Sequence, residues 1–213
     1  MAKQVSQYIF EDALREIRKG KQPKFDQSVE LHINLRADSK KQELQVRYIT
    51  TLPHGTGKEK KVAVLASDKI ANADMQLTEA DLTKIEKGDL RPGRDFDLIV
   101  ADPKLMPKLA KLARILGPAG AMPNPKTGTV SDDVAKAVEQ IKKGRIEIKT
   151  EQNHPIIHTI IGKLSFEDQK LAENFHEIMT TLRHNRPPKA KPDFIGSVFV
   201  KATMGKSFEL VVN

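Results

Sequence analysis

The chain has 213 residues, 38% of them hydrophobic and 30% charged, with a net charge of +8 and no cysteine. This length supports one large domain or two modest ones with real cores, and the composition is too apolar for a disordered chain. Disulfide and thiolate chemistry are excluded, no apolar run approaches the ~18 residues that cross a bilayer, and the basic balance favours polyanions, nucleic acid first.

The N-terminal stretch MAKQVSQYIFEDALREIRKG has no signal-peptide core and carries acids that a transit peptide avoids, so a cytoplasmic location is expected. Between residues 25 and 35, Val29, Leu31, Ile33 and Leu35 alternate with Glu30, His32 and Asn34. Strict alternation predicts a strand with one wet face, as in antiparallel sheet. The pattern returns at Leu44, Val46, Tyr48, Thr50 and Leu52.

The middle of the chain uses a different grammar. VAVLA (62–66) and DLIVA (97–101) are short continuous apolar runs, which predict strands buried on both faces of a parallel sheet. Helices are predicted between and after them. Thr78 and Asp81 form a capping pair for a helix over 79–87. Asp102-Pro103 opens the next helical stretch, in which Pro107 delays the regular helix, and Gly117 suits the position just past its end. Ser131 is the candidate cap of a helix carrying Val134, Val138 and Ile141, and the adjacent Asp132-Asp133 favours that N-terminus rather than forming a catalytic pair. Gly144 ends the helix and RIEIK follows as a strand.

The C-terminal third reads as a strand (PIIHTIIGK), a helix with an apolar stripe at Leu171, Phe175, Ile178 and Leu182, a stiff basic linker (RPPKAKP) and final strands. Ser165 and Asp168 look like another capping pair. In the last strands Val198, Val200 and Ala202 oppose Ser197, Lys201 and Thr203, while Phe199 interrupts the polar side. Alternating strands thus occur at both ends and buried strands in the middle. The predicted architecture is a discontinuous α+β domain built from residues 1–55 and 150–213, with a parallel, doubly wound α/β domain inserted over 56–149. The crossings lie near residues 53–57 and 149–153, both rich in turn formers.

Catalytic signals are weak. GTGK (55–58) is a fragment of a phosphate loop, with Glu59 where a magnesium-binding Ser or Thr belongs, and reads better as a turn at a crossing. No G-x-G-x-x-G follows a middle strand, and none of the six histidines has metal-ligand spacing. No catalytic residue, metal or cofactor is expected, and a nucleotide-dependent enzyme using the middle domain is the alternative reading. Two other stretches leave a choice open. TMGKS (203–207) is a hairpin turn in which Gly205 supplies a positive φ, or a tight turn that brings backbone groups close to RNA. In KFDQSVE (24–30), Phe25 is either core or a stacking surface beside Lys24 and Ser28.

GPAGAMPNPKTGTV (117–130) closely resembles the signature of the large-subunit ribosomal protein L-one family, the RNA-binding protein of the ribosomal side stalk. KFDQSVELHINL, LPHGTGK, IIHTIIGK and TMG resemble further family landmarks in the right order, and the Met-Pro-Asn-Pro-Lys form looks bacterial. The resemblance implies a split outer domain with an inserted Rossmann-like one. It implies binding of large-subunit rRNA as a monomer within the cytoplasmic ribosome, help in releasing deacylated tRNA from the exit site, and in many members repression of the protein's own messenger. The RNA contacts it implies fall on Lys24, Phe25, Ser28 and Glu30, on Thr203, Met204 and Gly205, and secondarily on His158, Thr159 and Lys163. Glu30 would accept from a ribose 2′-OH. Two departures are present: Ala119 stands where the signature usually carries a basic residue, leaving Lys126 as the loop's cation, and the N-terminus is short.

Overall fold

The computed structural model describes residues 7–20, 23–36, 45–66, 70, 72–151, 154–187 and 190–211, without the side chains of Glu79 and Lys126. The first elements in chain order are α1 (Phe10–Lys19), β1 (Ser28–Leu35), β2 (Arg47–Thr51), β3 (Val62–Leu65), β4 (Met75–Gln76), α2 (Glu79–Lys87) and β5 (Leu98–Ala101). They are followed by α3 (Met106–Ala110), α4 (Ala113–Leu116), α5 (Val134–Lys142), β6 (Arg145–Lys149), β7 (Ile156–Lys163), α6 (Asp168–His184), β8 (Ile195–Ala202) and β9 (Ser207–Leu210). The chain divides into two units, a split one of residues 1–57 with 144–213 and an inserted one of residues 58–143.

In the split unit, β1 alternates as its sequence requires, with every second side chain buried. It lies inside an antiparallel sheet of order β7–β1–β8–β9. The inward phase (Val29, Leu31 and Ile33 of β1, Val198 and Val200 of β8) joins Leu171, Ile178 and Leu182 of α6 in one core. Helix α1 adds Phe10, Ala13, Leu14 and Ile17 to that core. Phe10 stacks on Phe175, ring centroids 4.5 Å apart. Helix α1 was not expected, although Phe10, Ala13, Leu14 and Ile17 stand at helical spacing. The expected residue Leu44 lies outside the described residues.

Strand β7 carries a bulge. Gly162 pairs with Val29 and Ile160 with Glu30, so Ile161 is an extra residue. The buried side chain of Asn174 on α6 answers it. Its amide nitrogen donates to the carbonyls of Ile161 (2.7 Å) and Gly55 (2.9 Å), and its oxygen accepts from the N–H of His54 (3.1 Å). One carboxamide therefore ties sheet, helix and the first crossing together.

Two boundaries differ from expectation. RIEIK pairs with β2 rather than with the inserted sheet, because Ile146 and Ile148 bury in the split unit's core beside Val46 and Leu52. The units therefore divide after residues 57 and 143, not after 55 and 149. Gly144 turns the chain with φ +94°, and a Cβ there would overlap the backbone of Gly55. Only glycine fits where these two segments cross.

The inserted unit is a parallel sheet of order β4–β3–β5. Ala63 and Leu65 of β3 face a layer containing Ile85 of α2 with Leu109, Leu112 and Leu116 of the 105–116 stretch. Val62 and Val64 face Val134, Val138 and Ile141 of α5. Burial on both faces explains the continuous apolar runs. The 117–130 loop covers the outer edge of β5: the N–H of Ile99 donates to Ala121 (3.2 Å), and that of Ala101 to Thr129 (3.0 Å). Thr129 is buried and its hydroxyl accepts from the N–H of Asn124 (2.7 Å), which closes the loop on itself. The loop thus satisfies an edge strand that would otherwise be open. The Lys126 side chain lies outside the described residues.

Several caps are corrected. Thr78 and Asp81 do pair, backbone N–H to carboxylate at 3.0 Å. Asp133, not Ser131, caps α5 by accepting from the N–H of Lys136 at 3.1 Å. Gly117 stays right-handed, and the left-handed glycines of that loop are Gly120 and Gly128. Ser165 and Asp168 do not cap α6. The hydroxyl of Ser165 donates to Asp26 (2.8 Å), and Asp168 pairs with Arg18 (2.7 Å), so both side chains serve long-range contacts instead.

Replacing Asn174 by Ala strands the buried Ile161 carbonyl, worth about 1–3 kcal/mol when unpaired, and leaves two half-buried groups, the His54 N–H and the Gly55 carbonyl, to find water. Urea unfolding should show a loss of about 2 kcal/mol. A loss below about 1 kcal/mol would mean that the crossing and the bulge hold without the carboxamide.

Candidate functional site

Three segments meet at one end of the four-stranded sheet: residues 23–27, residues 164–166 and the turn at 203–206. Antiparallel pairing brings them together, since Ser28 lies opposite Lys163 and Val29 opposite Ala202. Gln27 fastens them. It falls on the inward phase, two residues before Val29, and is 2% exposed. Its backbone carbonyl accepts from the N–H of Leu164 (2.8 Å), and its side-chain oxygen accepts from the N–H of Met204 (3.0 Å). The N–H of Ser28 donates to the Thr203 hydroxyl (3.2 Å), and the Ser28 carbonyl accepts from the Thr203 N–H (3.1 Å). The Lys163 ammonium donates to the Ser28 hydroxyl (3.1 Å) and lies 3.4 Å from the Asp26 carbonyl.

Arg18 of α1 supports the same end from below. Its guanidinium donates to the carbonyls of Leu164 (2.8 Å) and Phe166 (2.6 Å). Arg18, Phe25, Asp26, Gln27, Leu164 and Ser165 line a shallow cavity of about 330 Å³. On this fixed backbone two large apolar side chains stand in solvent, Phe25 at 54% and Met204 at 73% exposure. Lys24, Thr203, Gly205 and Lys206 are exposed beside them. The core alternative for Phe25 is thereby removed.

Gly205 departs from expectation. Its φ is not positive, and a Cβ there would meet Ala202 at an ordinary 3.4 Å. Its N–H closes the turn on the Ala202 carbonyl at 2.8 Å, the last position of a β-turn, where glycine is common but not required. What glycine supplies is an exposed tip without a side chain. Gly57 of the GTGK stretch is different. Its φ is +70°, and a Cβ would come within 2.7 Å of the Lys163 stem and 3.0 Å of the Phe166 ring. That glycine is a close-packed turn behind the site, and Lys58 pairs with Asp97 at 3.1 Å rather than being held for a phosphate.

The structure gathers Lys24, Phe25, Ser28, Lys163, Thr203, Met204 and Gly205 at this end. Glu30 lies one step inward on the face away from the helices, 3.4 Å from Lys201 and 3.7 Å from His32. His158 pairs with His32, Nδ1 to Nδ1, with Glu151 3.5 Å from its other nitrogen. His32 is four residues from Ser28, roughly 13 Å along the strand at ~3.3 Å per residue, so His158 stands apart from the end cluster. Thr159 lies opposite Leu31, on the helix-facing phase, and does not share the face of His158. Gln27, Asp26 and Arg18 were missed. A polar residue at the inward phase was the available signal for Gln27, whereas Asp26 and Arg18 act across distances in sequence that no local pattern reveals.

Burial, then the neighbouring His158 and Lys201, lowers the pKa of His32 below 6.5, against a smaller raising effect of Glu30. The paired Nδ1 atoms also need one unprotonated ring. A base with a depressed folded-state pKa leaves the unfolded chain binding more protons, so stability falls as pH drops through 6.5 toward the folded value. His32→Asn should flatten the unfolding free energy between pH 8 and pH 5 relative to the parent. An unchanged pH profile would remove His32 from that dependence.

Among the described residues no group of three or more His, Cys, Asp or Glu could hold a metal, and no helix is long and apolar enough to cross a membrane. In the inserted unit, the Asp102 carboxylate after β5 accepts from the N–H of Lys104 at 2.9 Å. An acid thus occupies the strand end at which a phosphate would bind in the alternative enzyme reading.

A model of the ribosomal protein L1p/L10e family matches residues 14–206. The chain is 42% identical over 211 residues to the large ribosomal subunit protein uL1 of Mesoplasma florum, covering 97% of this chain and 91% of that protein. It is 39% identical over 208 residues to the protein of that name from Prochlorococcus marinus, covering 95% and 86%. It is 40% identical over 209 residues to that of Lactobacillus delbrueckii subsp. bulgaricus, covering 95% and 88%.

Proposed function

The chain belongs to the ribosomal protein L1p/L10e family, and from that premise we propose that it binds large-subunit rRNA, without catalysis or cofactor, through the fastened end of the split unit's sheet. In this reading it works in the mobile side stalk, assists the release of deacylated tRNA from the exit site, and takes the matching RNA shape in its own messenger as a repressor.

The observation that carries the reading is the exposure of Phe25 and Met204 on backbone held by a buried Gln27. Leaving two large apolar side chains in water is unfavourable for the isolated fold, and holding them rigid lowers the entropy lost when a partner covers them. Their surroundings suit RNA. Phe25 offers a ring to a sugar or base, Gly205 admits a backbone at close range, and Lys24, Lys163 and Lys206 answer phosphates. Glu30, already beside Lys201, accepts from a 2′-OH without adding an unbalanced charge. Selectivity then comes from the shape of a folded RNA more than from base edges.

The first test is a titration with a stalk-hairpin fragment of large-subunit rRNA, beside a duplex of equal length, at two salt concentrations. Preference for the hairpin should persist at the higher salt. Equal, salt-labile binding to both RNAs would leave only the net charge acting. Phe25→Ala and Met204→Ala should each weaken hairpin binding by about 1–3 kcal/mol, with little change in thermal stability because both side chains already face solvent. Unchanged affinity in both variants would remove this end of the sheet from the interface.

A further inference from the structure

The basic residues of the inserted unit are handled in two ways. Four lysines on and just after α2 and α5 have an acid beside them. Lys84 pairs with Asp81 (2.8 Å), Lys136 with Asp133 (2.8 Å), Lys143 with Glu139 (2.7 Å) and Lys142 with Asp74 (2.8 Å). The segment from 103 to 131 has a different composition. It holds Lys104, Lys108, Lys111, Arg114 and Lys126 and not one Asp or Glu. The flanking Asp102 is engaged in capping its own turn.

The spacing arranges these cations in a line. Leu105, Leu109, Leu112 and Leu116 pack into the unit's core. Lys104, Lys108 and Lys111 each precede one of these leucines. The stretch is a 3-10 turn (Pro103–Leu105) followed by α3 and α4 with a break at 111–112, so the cations form a row beside the leucines that follows these short helical pieces, and Arg114 continues it. All four side chains are exposed. At ~1.5 Å per residue the row is about 15 Å long, comparable to several successive phosphates. It ends at residues 117–120, an exposed shelf in which a Cβ at Gly120 would meet nothing within 4 Å.

We propose that this ridge is a second RNA-contacting surface, one that meets the phosphate backbone and reads no bases. The inference rests on the reading of the chain as an RNA-binding protein and adds a surface of the inserted unit to it. A membrane fits the ridge poorly, since an interfacial helix needs a free apolar face and the leucines here are committed to the core. An extended row of exposed cations with small residues between them suits a phosphate backbone, which is bound through charge and is indifferent to sequence. The 117–130 loop, whose hydrogen bonds serve the sheet edge, thereby also anchors the ridge's far end.

The test compares two variants of the full chain with equal loss of charge. The ridge variant carries Lys104→Gln, Lys108→Gln, Lys111→Gln and Arg114→Gln. The control carries Lys84→Gln, Lys136→Gln, Lys142→Gln and Lys143→Gln. Each is titrated with the stalk hairpin and with the equal-length duplex across a range of salt. The ridge variant should flatten the slope of log K against log salt by about 2–3 on the hairpin, with the hairpin-to-duplex ratio unchanged, while the control shifts it by less than about 1. Equal slopes in the two variants would overturn the proposal, and a changed ratio would overturn its indifference to sequence. A parent protein that does not prefer the hairpin would defeat the functional reading, and the slopes on both RNAs would still judge the ridge. Melting curves check folding. If the ridge variant unfolds, the pair Lys104→Gln with Arg114→Gln should give about half the slope change, and no change in that pair would count against the ridge.

Discussion

Asn174 has no contact with solvent, yet three backbone groups of the first crossing and the β7 bulge are paired by its side chain. A bulge in β7 frees the carbonyl of Ile161, and a chain leaving a domain frees the groups of His54 and Gly55. Backbone groups taken wholly or partly out of water need partners, and one carboxamide on α6 pairs all three. The consequence reaches the outer face of the sheet. Because Ile161 is extra, Lys163 and His158 both point away from the helices although five residues separate them, opposite Ser28 and His32, which are four apart. The bulge thus lets Lys163 stand against Ser28 while Ile157 still reaches the core.

Gln27 does for the sheet's end what Asn174 does for its crossing. A hydrophobic residue at that inward position would bury equally well but would leave the Met204 amide without its acceptor. The structure instead uses a buried polar side chain to fix two loops that present Phe25 and Met204. Rigid scaffold beneath and exposed apolar tips above is the arrangement expected of a surface that binds by shape, where ordering before contact preserves affinity. In the proposed reading the inserted unit adds charge in a line on a ridge, so that selectivity and salt-dependent attraction fall to different parts of the chain.

The fold was legible where a period in the sequence matched a surface in the structure. Alternation over 29–35 gave β1, and the unbroken runs at 62–66 and 97–101 gave a parallel sheet between two helical layers. It was less legible where tertiary contacts decided. IIHTIIGK does not alternate, so nothing local places the bulge or turns Thr159 toward the helices. RIEIK looks like the next strand of the inserted sheet, and only the burial of Ile146 and Ile148 beside Val46 and Leu52 assigns it to the other unit. Ser165 and Asp168 have the spacing of a capping pair but are drawn away by Asp26 and Arg18. Of the ten residues that the resemblance names, seven gather at one end of the sheet, and Gln27, which holds that end together, carries its signal only as a polar residue on the inward phase.

Hydrogen exchange of the full chain, read by mass spectrometry with and without the stalk-hairpin RNA, tests most directly the claim that the fastened end of the sheet is the selective interface. Peptides covering residues 23–30 and 202–207 should gain the strongest protection, and this should survive an increase in salt. Protection confined to the inserted unit, or spread evenly and lost as salt rises, would contradict the account.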